Sequence, residues 1–205
     1  MARTLGLGPR GPRFKSAIPD REHHMITLIF EAHGTTIDNE NHLSSGWYDD
    51  ELSELGKKQS EEMGERYKND QLDAIFCSDL KRAVQSAEIA FKDRNIPIIP
   101  DERLRECNYG ELNHHPETEV NPQKIHHIVT PFPNGESYED TLTRVKSFLE
   151  YLLSNYDGKR VMVIDHRATQ YGLEYWINGI SLHDSITNHE KWKWQPGWTY
   201  TLKEI

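Results

Sequence analysis

Two histidines each follow an apolar, β-rich run. His33 follows Ile26-Thr27-Leu28-Ile29-Phe30-Glu31-Ala32 and precedes Gly34, and His166 follows Val161-Met162-Val163-Ile164-Asp165. Ligands of open α/β sheets gather at the carboxyl ends of the strands, so two such histidines are expected to face one pocket. An imidazole is a competent nucleophile towards phosphorus near neutral pH, because its pKa of about 6.5 leaves it largely unprotonated. That chemistry needs one ring nitrogen tied down to fix the tautomer, and cationic donors around the phosphoryl oxygens. Arg82, in Cys77-Ser78-Asp79-Leu80-Lys81-Arg82-Ala83, and Arg105, in Leu104-Arg105-Glu106, are the candidate donors. Glu106 is a candidate general acid for the departing oxygen. Taken singly, Arg82 reads more readily as a helix-surface charge, and Glu106 as a loop carboxylate paired with Arg105.

The elements that must position these groups follow from periodicity and caps. The pattern predicts strands at 26–31, 72–76 and 160–165, with a last strand near 198–203. Pro97-Ile98-Ile99-Pro100 reads as a short edge strand, since proline cannot donate to a ladder. Ser53 caps a helix over about 54–69, and a second helix runs from Asp79 to about Phe91. Ser137 caps a long helix with Asp140 in its first turn, ended by Asn155 and Gly158, and a further helix spans 168–178. Alternation of this kind implies a three-layer α/β/α fold with a mainly parallel central sheet. Residues 107–136, rich in His, Pro, Glu and Asn, read as a loop or lid over the site. Pocket walls are expected from that segment and from Thr169, Gln170 and Tyr171. Trp192, Trp194, Trp198 and Tyr200 alternate as in a strand, which suggests sheet packing.

Composition sets the bounds. The 205 residues fit one domain over 25–205, preceded by a Gly/Pro/Arg-rich stretch, 1–24, read as a disordered leader or extension upstream of Met25. The formal charge is −9, and the leader carries +3, so the remainder carries −12. A body that acidic argues against a nucleic-acid surface, and an anionic substrate needs a local basic pocket. Cys77 and Cys107 show no metal-ligand spacing and read as reduced, buried thiols of a cytoplasmic protein. No apolar run reaches membrane-spanning length. His114, His115, His126 and His127 lie in the 107–136 segment without an accompanying carboxylate or cysteine cluster. Surface or substrate-contact roles are therefore expected for them, with no metal and no cofactor.

Five blocks, in order, resemble the histidine phosphatase superfamily, whose fold is phosphoglycerate mutase-like. They are Ala32-His33-Gly34-Thr35-Thr36-Ile37-Asp38-Asn39, with Gly46-Trp47-Tyr48-Asp49 after it; Ser78-Asp79-Leu80-Lys81-Arg82-Ala83-Val84-Gln85-Ser86-Ala87; Leu104-Arg105-Glu106-Cys107-Asn108-Tyr109-Gly110; Gly135-Glu136-Ser137; and Val163-Ile164-Asp165-His166. The resemblance implies that His33 is the phosphorylated nucleophile, that Arg82 and His166 bind the phosphoryl group, and that Glu106 donates the proton. Gly34, Thr36, Asn39, Arg105 and Arg167 are the expected substrate-binding residues. Two positions depart from the family pattern. Ala32 stands where an arginine is usual, and Arg167 where a glycine is usual. A cation at a helix start opposes the helix dipole, which points to another use for Arg167, namely a guanidinium swung into the space Ala32 leaves. Hydrolysis of a small phosphate monoester by a monomer or homodimer is the expected activity. An impaired, binding-only relative and a phosphomutase are the alternatives.

Overall fold

β-Branched and aromatic residues dominate five short runs, and each becomes a strand of one sheet in the computed structural model, which describes residues 25–188 and 196–205. The chain opens with β1 (Ile26–Ala32), α1 (Ile37–Glu40), β2 (Leu43–Ser44) and α2 (Glu54–Arg66). It continues through β3 (Ala74–Cys77), α3 (Lys81–Phe91), β4 (Ile98–Pro100), β5 (His115–Pro116) and α4 (Glu117–Val120). The last third holds α5 (Tyr138–Asn155), β6 (Arg160–Asp165), α6 (Arg167–Asn178), α7 (Leu182–Thr187) and β7 (Trp198–Leu202). Strand order in the main sheet is β4-β3-β6-β1-β7. The pairs β4·β3, β3·β6 and β6·β1 are parallel, and β7 closes the β1 edge antiparallel.

Side-chain alternation along the strands builds two cores. On one face Leu28, Phe30, Phe76, Val161 and Val163 meet Val145, Phe148, Leu149 and Leu152 of α5. On the other, Ile29, Ile75, Met162 and Ile164 meet Met63 of α2 and Ala83, Ala87 and Phe91 of α3. The three-layer arrangement with a mainly parallel sheet is the expected one. Tyr200 is buried in the first core, and Trp198 packs edge-on against Phe30 at 5.9 Å. Residues 1–24, Trp192 and Trp194 lie outside the described residues.

The 107–136 segment differs from the loop expected of it. It holds β5, α4 and 3₁₀ turns at 110–112 and 121–127. Cys107, Tyr109, Val120 and Phe132 join Tyr138, Leu142, Tyr171, Leu182 and Ile186 in a third core. Its apolar residues are spaced irregularly along tight turns, so no period of 2 or 3.6 marks them. Smaller differences have local causes. Helix α3 begins at Lys81 rather than Asp79, because Leu80 is the uncapped N-cap and the Asp79 carboxylate binds Arg105. Helix α2 stops at Arg66, where Tyr67 sends its hydroxyl to buried Glu31 at 2.7 Å. Ser53 and Ser137 cap α2 and α5 as expected. Cys77 and Cys107 are buried free thiols, and burial pushes Cys77 up to about 12. Among the described residues no helix is long and apolar enough to cross a membrane.

Candidate active site

Because β1 and β6 are parallel neighbours, their carboxyl ends deliver His33 and His166 to the same place. The His33 amide donates to the Asp165 carbonyl at 3.0 Å, and the two imidazoles meet edge to face with centroids 5.0 Å apart. His33 Nδ1 lies 2.8 Å from its acceptor, the Gly34 carbonyl. That bond assigns the ring proton to Nδ1 and leaves a lone pair on Nε2. Burial, assisted by the Arg82 charge, lowers the His33 pKa to about 3, against smaller opposing effects of the Gly34 bond and Asp50. The ring is therefore neutral at physiological pH, as a nucleophile requires.

His166 is buried, and its Nε2 lies 2.6 Å from Ser78 Oγ. The same Nε2 lies 3.1 Å from Asp165 Oδ1, and Nδ1 is buried without a partner. Burial holds this imidazole well below its usual pKa, with the Arg82 and His33 charges adding to the effect. Arg82 comes from the first turn of α3 and is only 2% exposed. Its guanidinium donates to the Tyr48 carbonyl at 3.0 Å and the Gly46 carbonyl at 2.7 Å. Two neutral acceptors hold this cation in place without neutralising it, so its charge remains available to an anion. Gly46 has φ +54°, and a Cβ there would stand 2.0 Å from Asn113 Oδ1, so the loop that cradles Arg82 requires glycine.

Glu106 is mostly buried, and its Oε1 accepts from the Cys107 amide at 2.8 Å. Its carbonyl is held by Trp47 Nε1 at 2.6 Å and by the Arg144 guanidinium at 2.9 Å. Arg144, on α5, also donates to the carbonyls of Arg103 and Arg105 and pairs with Glu136. One half-buried arginine thus sets the path of the whole Leu104-Arg105-Glu106 turn.

A cavity of about 380 Å³ brings His33, Arg82, Glu106 and His166 together, with Ala32, Asn39 and Arg167 also on its wall. Asn39 Oδ1 takes the Thr36 amide at 3.1 Å, leaving its NH₂ donors for a ligand. Three expected substrate contacts do not line the cavity. Gly34 sends its amide to Ser86 Oγ at 3.0 Å, and a Cβ there would lie 2.4 Å from the Gly56 carbonyl, so it serves close packing against α2. Thr36 is the N-cap of α1, in a capping box with Asn39. Arg105 turns away to Asp79 at 2.7 Å and stacks on Trp47, its guanidinium 4.6 Å from the ring centroid.

Of the expected wall residues, Tyr171 lines the cavity, whereas Thr169 gives its hydroxyl to the Leu104 carbonyl at 2.7 Å. Buried Gln170 is not on the wall. His114 pairs with Asp38 and stacks on Tyr48, His115 faces Glu119, and His127 stacks on Phe132. Among the described residues no three His, Cys, Asp or Glu side chains are grouped to hold a metal ion. Sequence reasoning missed Arg144, Lys124 and Asp165. Lys124 lines the cavity with its ammonium 5.3 Å from the centroid of the Tyr109 ring, and Asp165 lies on its floor. Asp165 adjoins a predicted site histidine, which was the available signal; Arg144 reads as an ordinary helix arginine.

A mainly parallel α/β sheet with a histidine pair, a buried arginine and a carboxyl at its carboxyl edge defines a protein built for phosphoryl chemistry. The chain belongs to the histidine phosphatase superfamily, whose branch 1 model matches residues 28–189. It is 30% identical over 155 residues to the uncharacterized phosphatase PhoE of Bacillus subtilis (strain 168), an alignment covering 76% of this chain and 79% of that protein. It is equally 30% identical over 173 residues to a 2,3-bisphosphoglycerate-dependent phosphoglycerate mutase of Cytophaga hutchinsonii, covering 78% of this chain and 81% of that one. Among solved structures, Bacillus stearothermophilus YhfR superposes with a TM-score of 0.71 at 26% identity, over 83% of this chain and 86% of that chain. Proteins named as phosphatases and as mutases are both among its relatives, and the fold is phosphoglycerate mutase-like.

Proposed function

We propose that this protein hydrolyses phosphate monoesters through a phosphohistidine on His33. The observation that carries the reading is the fixed tautomer. The His33 proton is held on Nδ1 by the Gly34 carbonyl at 2.8 Å, which leaves Nε2 as the nucleophile beside Arg82 and His166. In the first step Nε2 attacks phosphorus, the P–O bond to the alcohol breaks, and protonated Glu106 gives its proton to the departing oxygen. In the second step water attacks the phosphohistidine, and ionised Glu106 takes the water proton as the P–N bond breaks. Arg82 and His166 donate to the phosphoryl oxygens, with Asn39 as a further donor.

Arg167 supplies the guanidinium that Ala32 lacks, since it lines the same cavity from the first residue of α6. Lys124, which also lines the cavity, serves the alcohol portion of the substrate. The substrate is a small phosphorylated molecule, and the site of action is the cytoplasm, as a monomer or homodimer. Ala32 favours one other reading, a site that binds phosphate without turning over.

Glu106→Gln tests the acid step. It should lose far more rate with an alkyl phosphate than with a nitrophenyl phosphate, whose leaving group needs no proton. An equal loss on both removes Glu106 from that role. Phosphate binding without measurable turnover of either ester supports the binding-only reading instead.

A further inference from the structure

Trp47 stands between two working parts of the site, the phosphoryl-binding arginine and the acid. Its chain neighbours Gly46 and Tyr48 give their carbonyls to Arg82 at 2.7 and 3.0 Å, and its own indole Nε1 donates to the Glu106 carbonyl at 2.6 Å. The peptide unit that carries this carbonyl also carries the Cys107 amide, which donates to Glu106 Oε1 at 2.8 Å. A peptide unit is rigid and planar, so holding its carbonyl fixes the direction of its N–H. The indole therefore acts on the Glu106 carboxyl through one stiff link. We infer that Trp47 is a positioning residue: its N–H sets the 106–107 peptide, and through it the acid, in register with Arg82. The inference rests on the reading of Glu106 as general acid.

The indole is itself held in place. The Trp47 amide donates to Asn113 Oδ1 at 3.2 Å, an acceptor that also takes the Tyr109 amide at 3.0 Å. Above the ring lies the Arg105 guanidinium, 4.6 Å from the centroid. Asp79 grips that guanidinium twice, accepting from Nε at 2.7 Å and from Nη2. Arg105 does not line the cavity, so this clamp gives a purpose to a cation that sits beside the acid and touches no substrate. Arg144 is the second donor to the Glu106 carbonyl, at 2.9 Å, but its other bonds go to the 103–105 carbonyls, Glu136 and Thr141. The indole, by contrast, ties the acid to the loop that cradles Arg82. With Oε1 occupied by the Cys107 amide, Oε2 is the oxygen that carries the transferable proton. Misplacing that proton by about 1 Å from the departing oxygen costs on the order of a hundredfold in rate.

The test measures kcat/KM for an alkyl phosphate and a nitrophenyl phosphate, with inorganic phosphate affinity as a readout independent of turnover. Two changes at position 47 remove the N–H and keep an aromatic ring: Trp47→Phe, and benzothienylalanine, which has the indole shape with sulfur in place of the N–H. Both should lose about 10- to 100-fold on the alkyl ester, the scale of a misplaced reacting group. Both should stay within a few-fold of wild type on the nitrophenyl ester and keep its phosphate affinity. Arg105→Gln, which removes the clamp, should show a smaller loss in the same direction. A tryptophan fluorinated on its benzene ring keeps the N–H and should restore the wild-type ratio of the two esters. Equal losses on both esters, a wild-type ratio with benzothienylalanine, or no rescue by fluorotryptophan would overturn the inference. Glu106→Gln, measured alongside, keeps the two readings apart. Selective alkyl-ester loss in Glu106→Gln with a wild-type ratio in the position-47 proteins defeats only the role of Trp47. Equal losses in Glu106→Gln defeat the acid reading itself, and the inference with it.

Discussion

Acid should destabilise the wild-type protein more than a His33→Asn variant, and the size of the difference follows from the site. In the unfolded chain His33 takes a proton near pH 6.5, but in the fold burial and Arg82 lower its pKa to about 3. Between those values the unfolded state holds one more proton than the native state, so native stability falls as pH falls. The loss amounts to about 1.4 kcal/mol per pH unit, starts near 6.5 and levels off near 3. At pH 4 it reaches roughly 3 kcal/mol, a large part of the 5–15 kcal/mol that typically holds a domain folded. Asparagine cannot titrate but retains a side-chain donor for the Gly34 carbonyl. The offset between the two proteins at pH 7 is immaterial; the slope carries the information. Urea unfolding at pH 7, 6, 5 and 4 should give curves for wild type and variant that diverge by about one proton's worth of slope. Parallel curves would mean that folded His33 protonates as readily as a free imidazole, and that the fold does not keep the nucleophile neutral.

The other residues of the site give separate tests. Arg167→Ala should cut turnover by about two orders of magnitude if its guanidinium serves the phosphoryl group. Ala32→Arg with Arg167→Gly should recover most of that loss, a non-additive pair measurable by kcat/KM. Arg144→Lys cannot reproduce a guanidinium that reaches three carbonyls and Glu136. It should lower kcat for alkyl phosphates more than for nitrophenyl phosphates, because it misplaces Glu106, and unchanged ratios would deny it that positioning role. Gly46→Ala drives a methyl into Asn113 at a φ of +54°, so phosphate affinity should fall together with the Arg82 cradle. Wild-type affinity in that variant would show the cradle to be dispensable.

What could be read from the chain alone divides along physical lines. The strands ending at Ala32 and Asp165 were legible because buried parallel strands write themselves as apolar runs of limited length. The Ser53 and Ser137 caps were legible because a hydroxyl before an apolar-periodic stretch has a local purpose. His33, Arg82, Glu106 and His166 were legible through strand-end position and block resemblance, and all four line one cavity. The residues 107–136 were not legible, because their core forms between tight turns, α5, α6 and α7, which are distant in sequence. Arg105 and Gly34 were misjudged for the same reason. A guanidinium beside Glu106 can point at a phosphate or at Asp79, and a glycine after a nucleophile can serve a ligand or a helix neighbour. Only the tertiary partners, Asp79 with Trp47 and Gly56 respectively, decide between them.

The most direct test of His33 as nucleophile is to trap the phosphoenzyme. Wild-type protein mixed with a ³²P-labelled phosphate monoester and quenched in alkali should carry acid-labile, base-stable label on one histidine, and peptide mapping should locate it at His33. His33→Ala should carry none and should not turn over. Label that persists in His33→Ala, or turnover without any labelled histidine, would contradict the assignment of His33 as the nucleophile.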